Sequence, residues 1–435
     1  MSEPFSAFEE DAIAARLVAE APPGAPAREP RSYLPTLFIA NVGLLLAILT
    51  PVIVSMAFKL QHITGTATEA TSALGLVLGV GALVALLANP IAGRLSDRTA
   101  SRLGMRRPWL IGSSFVMAAA LGVVGIAGEV WLVLIAWSVA QIAANAVMAA
   151  MNATIADQVP PGRRGRVSGV IGMGASIAIL AGAASANLLP MDWARFLVPG
   201  VIGFVAVTVF AVTLRDRRLD AAAVQPLRFR DLVGSFSINL RKWPDFGWVW
   251  LTRFLVGFAY VGVGAFLPLY LTERFHLGEQ QAVQTILVAN LVSTLASFVA
   301  GPLGGWLSDR VGKRRPFVVV AGAILVVGLV LLAFAPNVTV VVVSQFFIGF
   351  GGGCFFAVDI ALATQVLPTT GDTAKDLGVM SIANALPQSL APVVAPPIIA
   401  VGAATALGGF AAFYLVGAVV ALGGALAVYR VKGVK

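Results

Sequence analysis

Asp359 is the acidic residue that this sequence places well inside an apolar run, VTVVVVSQFFIGFGGGCFFAVDIALATQV (338–366). A carboxylate at the centre of a membrane helix costs about 2.5–3.5 kcal/mol on insertion scales, so an acid in that setting is expected to carry protons or touch a solute. It stands nine residues before Pro368, which at about 1.5 Å per residue predicts a depth of roughly 13 Å, near mid-membrane. Gln141, Asn145 and Asn152 stand at i, i+4 and i+11 in an earlier apolar run. A helix of 100° per residue brings all three onto one stripe. Asn41, Asn290, Ser293 and Ser297 add further amides and hydroxyls inside apolar runs. Such groups both donate and accept, which suits a neutral, hydroxyl-rich solute; contact between helices is their competing use. Asp157 lies three residues before Pro160 and is expected to pair with Arg163, Arg164 or Arg166. Arg253 follows the interfacial cluster Trp243, Trp248 and Trp250. It is expected to snorkel back to the headgroups, with pairing to Asp359 as the alternative.

These residues need elements to position them, and composition says which kind. Of 435 residues 58% are hydrophobic and only 12% charged, and the mean hydropathy is +0.88. Soluble domains are about a quarter charged, so this chain is an integral membrane protein. The single cysteine, Cys354, excludes a disulfide scaffold or a thiolate metal site, and His62 and His276, the two histidines, lie far apart in polar stretches. No cofactor or metal is expected. Apolar runs fall at about 34–58, 71–93, 108–127, 130–157, 167–189 and 195–214, then at 247–271, 281–306, 316–335, 338–366, 378–400 and 407–429. Each is near the ~20 residues that a spanning helix requires. The expected fold class is therefore an all-α membrane protein with twelve transmembrane helices. Pro387, Pro392, Pro396 and Pro397 predict a bent or broken eleventh span, and Gly349, Gly351, Gly352 and Gly353 a similarly bent tenth.

Counting loops alternately, twenty-six of the 30 Lys and Arg fall on the side of the N-terminus, and Lys59, Arg195 and Arg274 on the other. That bias puts both termini in the cytoplasm of a multi-pass protein of the plasma membrane. The formal charge of +9 then reads as an orientation signal and a contact to anionic lipids, with no nucleic-acid partner. The expected domains are a disordered, acidic and proline-rich cytoplasmic tail (1–32), a six-helix bundle (33–214), a cytoplasmic linker (215–246), a second six-helix bundle (247–430) and a short tail (431–435). Within the linker, 225–246 mixes apolar residues with Arg228, Arg230, Arg241 and Lys242 and reads as a surface-lying amphipathic segment.

The two halves repeat. NPIAGRLSDR (89–98) matches GPLGGWLSDR (301–310), LGMRRPW (103–109) matches VGKRRPF (311–317), and ADQVPP (156–161) matches ATQVLP (363–368), at offsets between 207 and 212. The bundles are thus expected to be pseudo-symmetric, a hallmark of secondary transporters. By the same offset Asn152 answers Asp359, which predicts a site on the pseudo-twofold interface. In the duplicated turn, Gly93 and Gly305 are expected to permit close helix approach. Asp97 and Asp309 are expected to meet a helix N-terminus or an arginine of the other half. With Arg98, Arg106, Arg107, Arg310, Arg314 and Arg315 they make up a candidate gate, whose basic residues (Lys313 included) also anchor the following span to lipid.

GWLSDRVGKRR (305–315) resembles the signature turn of the major facilitator superfamily almost position for position, and the first copy carries the same motif with a four-residue insert, TASR (99–102). SDRTASRLGMRRPW (96–109) looks more narrowly like the sucrose and glycoside symporter branch. The resemblance covers nearly everything after residue 32. It implies two bundles that rock about one central site, moving a small solute by alternating access with protons or another coupling ion. Those symporters tend to carry an acid near Gln141 and a base near Asn152, and neither charge is present here, so proton coupling is expected to use Asp359 or a peripheral carboxylate. Uptake of a sugar or glycoside by a monomer, through Asn41, Gln141, Asn145, Asn152, Asn290 and Asp359, is the first reading. Efflux of lipophilic drugs is its rival, and a non-transporting membrane sensor using the tail is a third. No GxxxxGK[ST] element is present, because Gly312-Lys313 is followed by Arg314, and no clustered His, Asp or Cys set suggests an enzyme.

Overall fold

The computed structural model describes residues 30–219, 243–366 and 373–432. Most of the expected tail (1–29) and linker (220–242) therefore lies outside the described residues, as do 367–372 and 433–435. Twelve helices are long and apolar enough to cross a membrane, in a solvent where every backbone group must be satisfied internally. The first six are α1 (Tyr33–Thr64), α2 (Ala67–Ser96), α3 (Arg107–Ile126), α4 (Val130–Gln158), α5 (Pro161–Leu188) and α6 (Asp192–Thr213). The second six are α7 (Pro244–Phe275), α8 (Glu279–Val311), α9 (Arg315–Ala333), α10 (Val338–Gln365), α11 (Thr373–Ala403) and α12 (Gly409–Ala427). Prolines open α3, α5, α7 and α9, where a missing backbone N–H is harmless. Thr66 and Asn337 cap α2 and α10 by accepting from the amides of Glu69 and Val340.

The tenth and eleventh spans are each one helix without a break, the eleventh with Pro387, Pro392, Pro396 and Pro397 inside it. The glycines of α10 serve contact. A Cβ on Gly349 would come 2.2 Å from the Ser293 carbonyl oxygen, and one on Gly353 would come 2.7 Å from the Ser297 backbone. The irregular span is the first, where Pro51–Ser55 forms a π turn; Pro51, which lacks a backbone donor, is its physical reason.

Packing repeats as the sequence does. In the first half α1 packs on α5 and α6, α2 on α4, and α3 on α4 and α6; in the second α7 packs on α11 and α12, α8 on α10, and α9 on α10 and α12. Adding six to each number of the first set gives the second. Across the halves α2 meets α11 and α5 meets α8, a pair of contacts that a twofold axis exchanges.

Let the near face be the one where the described chain begins and ends, and the far face its opposite. The seam between α2 and α11 lies in the far half of α2: a Cβ on Gly75 would come 2.5 Å from the Pro392 carbonyl oxygen, and one on Gly79 would come 2.2 Å from Val393. Small residues let these backbones close up. Toward the near face the same helix is uncovered, with Leu83, Leu87, Ile91 and Leu95 exposed. At the far end of α5 and α8, Gln280 Nε2 donates to Asn187 Oδ1 at 3.0 Å. The contacts between the bundles thus lie toward the far face.

Candidate functional site

The buried chemistry collects in the second bundle. α10 runs from the far face to the near one and carries Gln345, Gly352, Phe356 and Asp359 at i, i+7, i+11 and i+14, a spacing that keeps them on one side. α7 brings Arg253 and Tyr260, seven residues apart and so again on one face. Arg253 Nε donates to Asp359 Oδ2 at 2.5 Å, and both residues are buried, 6% and 0% exposed. This corrects the expectation that Arg253 snorkels: it lies nine residues into a helix that starts at Pro244, about 14 Å deep, with an acid in reach. Asp359 itself stands six residues before the end of α10, about 9 Å from that end of the helix.

The pairing is one-armed. Among the described residues Asp359 Oδ1 is buried without a partner, as are Asn290 Nδ2 on α8 and Gln345 Nε2 on α10. Between these levels the Tyr260 hydroxyl faces the Ser293 and Ser297 hydroxyls. Its ring packs edge-on to Phe356, with centroids 5.5 Å apart, over Gly352, where a Cβ would come 2.6 Å from it. The arrangement therefore joins a buried ion pair, a tyrosine face and unmatched amide donors along α7, α8 and α10.

The stripe on α4 does something else. Asn145 Nδ2 donates back to the Gln141 carbonyl oxygen at 3.0 Å, and its Oδ1 accepts from Asn89 of α2 at 3.3 Å. Gln141 and Trp137 lie against Gly81 of the same helix. The stripe thus faces α2 and ties two helices of one bundle. Asn152 is exposed and makes no hydrogen bond among the described residues, so Asn152 and Asp359 do not form a matched pair. Asn41 is buried against Gly174 of α5, with its Oδ1 unpartnered.

The duplicated near-face turns hold together within each half, which corrects the expected cross-half contacts. Arg106 is buried; its guanidinium reaches Asp97 Oδ1 at 2.6 Å, Asp157 Oδ2 at 3.2 Å and Ser96 Oγ at 2.5 Å. Asp157 therefore pairs with Arg106 in place of the arginines after Pro160, and Arg164 bonds the carbonyls of Ala156 and Val159. Asp216 Oδ2 accepts from the amides of Arg106 and Arg107 at 2.7 and 2.8 Å, a carboxylate on the N-terminus of α3. Arg107 donates to the carbonyls of Leu214 and Val212, and Arg98 to that of Arg94. In the second turn Arg314 meets Asp309 at 3.1 Å, Arg310 stacks over Trp306 at 5.3 Å, and Arg315 Nε has no partner. Gly104 and Gly312, matched by the repeat, have φ of 114° and 67°, left-handed values that favour glycine. Gly93 and Gly305 permit no unusual approach: a Cβ on the first would sit 3.8 Å from Ala149 and on the second would meet nothing.

A family model described as Major Facilitator Superfamily matches residues 36–304 and 280–434. The Multidrug resistance protein MdtG of Salmonella choleraesuis (strain SC-B67) is 25% identical over 282 residues, covering 64% of this chain and 67% of that protein. The MdtG of Citrobacter koseri is 26% identical over 282 residues, covering 64% and 66%. Among solved structures, a D-xylose-proton symporter superposes with a TM-score of 0.70 at 15% identity, covering 93% of this chain and 98% of that one. The nucleoside transporter NupG does so with a TM-score of 0.68 at 13% identity, covering 92% and 99%. At these identities the structures share the fold alone.

Proposed function

The chain belongs to the major facilitator superfamily, and from that premise we propose that it carries a small, polar, uncharged organic solute, such as a sugar or glycoside, by proton-coupled alternating access. It is a multi-pass membrane transporter; solute, coupling and direction are the proposed part. The observation that carries the reading is the pair of unmatched buried amide donors, Asn290 Nδ2 and Gln345 Nε2, with the unmatched Asp359 Oδ1 about 21 Å further along α10. A buried donor or acceptor left unsatisfied costs about 1–3 kcal/mol, a cost that a hydroxyl-bearing solute removes when it binds. The far-face position of the contacts between the bundles supports an inward-facing state, given that the near face, which holds most of the basic residues, is cytoplasmic. Anionic lipids on that leaflet would meet Arg107, Lys313 and Arg315, and one chain holds the whole site.

Asp359 is the proposed proton site. Protonation would discharge it and free Arg253, so that the pair exists in two arrangements that the two access states favour unequally. The test is uptake into proteoliposomes under an imposed pH gradient, with a panel of labelled sugars and glycosides beside fluorescent lipophilic cations. Gradient-driven sugar accumulation that Asp359→Asn abolishes is expected. Unchanged pH-driven accumulation in that variant would refute the proton site. The second reading, efflux of lipophilic compounds, is favoured by the relatives' name and by the Tyr260–Phe356 face; extrusion of the cations without sugar movement would establish it in place of the first.

A further inference from the structure

The far face carries a second charged cluster, and it bridges the halves. His62, the last basic residue of α1, lies between two carboxylates. Its Nδ1 is 3.1 Å from Asp192 Oδ2 of α6, and its Nε2 is 2.9 Å from Glu279 Oε2 of α8. Asp192 belongs to the same half as His62, and Glu279 to the other. Glu279 also meets Arg195 of α6, and Lys59 approaches Asp192 at 3.7 Å while donating to the Gly125 carbonyl oxygen at 2.8 Å. The His62 side chain is 49% exposed, so its proton exchanges freely with far-side water.

We propose that His62 is a proton-operated latch, which closes the far face when its imidazole is charged and loosens it when the imidazole is neutral. The argument is one of hydrogen-bond inventory. Carboxylates only accept. A neutral imidazole has one N–H and one lone pair, whereas the imidazolium has two N–H groups. With a carboxylate oxygen at each nitrogen, only the charged ring satisfies both; the neutral ring turns a lone pair on one of the oxygens. Histidine is also the side chain whose charge changes between pH 5 and 8. Opening the far face separates His62 from Glu279, so the second N–H of the charged ring has an acceptor at both nitrogens only in the closed state, and by linkage a rise in far-side pH favours opening.

The other titratable or charged groups on the elements around α1 at this face are Glu69 of α2, Glu129 before α4, Glu273 and Arg274 of α7, and His276 just after it; none forms an ion pair with His62 among the described residues. Arg195 with Glu279 is a permanent tie across the same seam, so the latch modulates a gate that a fixed pair also holds. The inference rests on the alternating-access reading for its motion but not on the identity of the solute.

The test is a distance measurement by pulsed electron spin resonance in nanodiscs. Spin labels go on Gly128→Cys and Leu407→Cys, exposed on the far loops of the two halves, in a Cys354→Ala background. Between about pH 5.5 and about pH 8.5 the ratio of far-open to far-closed molecules is expected to rise about fivefold or more. His62→Gln should remove the pH response and hold the ratio near its high-pH value. Asp192→Asn should remove it in the opposite sense, because the amide can donate to the neutral ring and keep the latch shut. A histidine that merely packs would shift the ratio without changing its slope against pH. A response that survives in His62→Gln would overturn the latch, as would its absence in a parent protein that otherwise opens. Distances frozen under every condition would overturn the alternating-access reading together with it.

Discussion

The two six-helix bundles share a packing plan but divide the chemistry between them. Where α7 meets α10 in the second bundle, the contact is a buried ion pair, Arg253 with Asp359. Where α1 meets α4 in the first, it is a neutral hydrogen bond, Tyr33 Oη with Thr154 Oγ1 at 2.9 Å. The near-face turns divide the other way. Arg106 gathers Asp97 and Asp157 and sits under the Asp216 cap, but among the described residues its counterpart Arg314 pairs with Asp309 alone. One residue explains much of that difference. Asp157 is replaced in the second copy by Thr364, whose hydroxyl turns back to the Ala361 carbonyl oxygen at 2.9 Å. Duplication supplied two equal scaffolds; one kept the lock and the other kept the charge in the membrane.

The largest effect should come from breaking the charged contact on one side only. Arg253→Ala leaves Asp359 buried without compensation, a change that costs about 3–5 kcal/mol. The apparent melting temperature in detergent, followed by tryptophan fluorescence, should fall by several degrees. Replacing both partners together, Arg253→Leu with Asp359→Leu, should recover most of that loss while leaving transport uncoupled. In the first bundle Tyr33→Phe removes only a neutral bond and should cost about 1 kcal/mol. Equal losses in Arg253→Ala and Tyr33→Phe would erase the contrast between the halves.

A smaller effect of opposite polarity is expected at the turns. Arg106 is buried and holds two carboxylates and a hydroxyl, so Arg106→Ala should lower stability by about 2–3 kcal/mol, in the range of charged hydrogen bonds. Arg314→Ala removes one exposed pair, with Asp309 66% exposed, and should change it by about 0–1 kcal/mol. Thermal unfolding of the two variants side by side measures the ratio. Installing the missing acid, Thr364→Asp, should raise the cost of Arg314→Ala if sequence asymmetry at that position is its source.

Much of this was readable beforehand, and the failures have physical reasons. Span count, the six-plus-six repeat and the burial of Asp359 follow from hydropathy and offset, because lipid imposes length and apolarity on every helix. What one sequence cannot reveal is which side of a helix looks at which neighbour. The stripe Gln141, Asn145 and Asn152 is periodic, yet only Asn145 finds a partner on the neighbouring helix, Asn89 of the NPIAGRLSDR motif, and Asn152 is exposed. Arg253 looked close enough to the interface to snorkel because the helix start was placed at 247; the helix in fact begins at Pro244, which sinks Arg253 by a further turn. A signal for the far-face cluster was present. Lys59 and Arg195 are two of the three basic residues on the wrong side of the charge bias, and both are buried there against acids.

The finest distinction between the halves is between two amides, the half-buried Asn145 and the buried Gln345. Asn145 has its partner on α2, and Gln345 Nε2 has none. Asn145→Leu should therefore lose an interhelical bond worth about 0.6 kcal/mol and leave solute affinity unchanged. Gln345→Leu removes an unmatched donor, so stability should hold or rise slightly, while affinity for a transported sugar falls about tenfold, the loss of one good hydrogen bond. Thermal shift with and without solute reads both quantities in one experiment. If Asn145→Leu were instead the variant that weakened solute binding, the first bundle would share the site, and the division of labour between the two halves would have to be redrawn around both stripes.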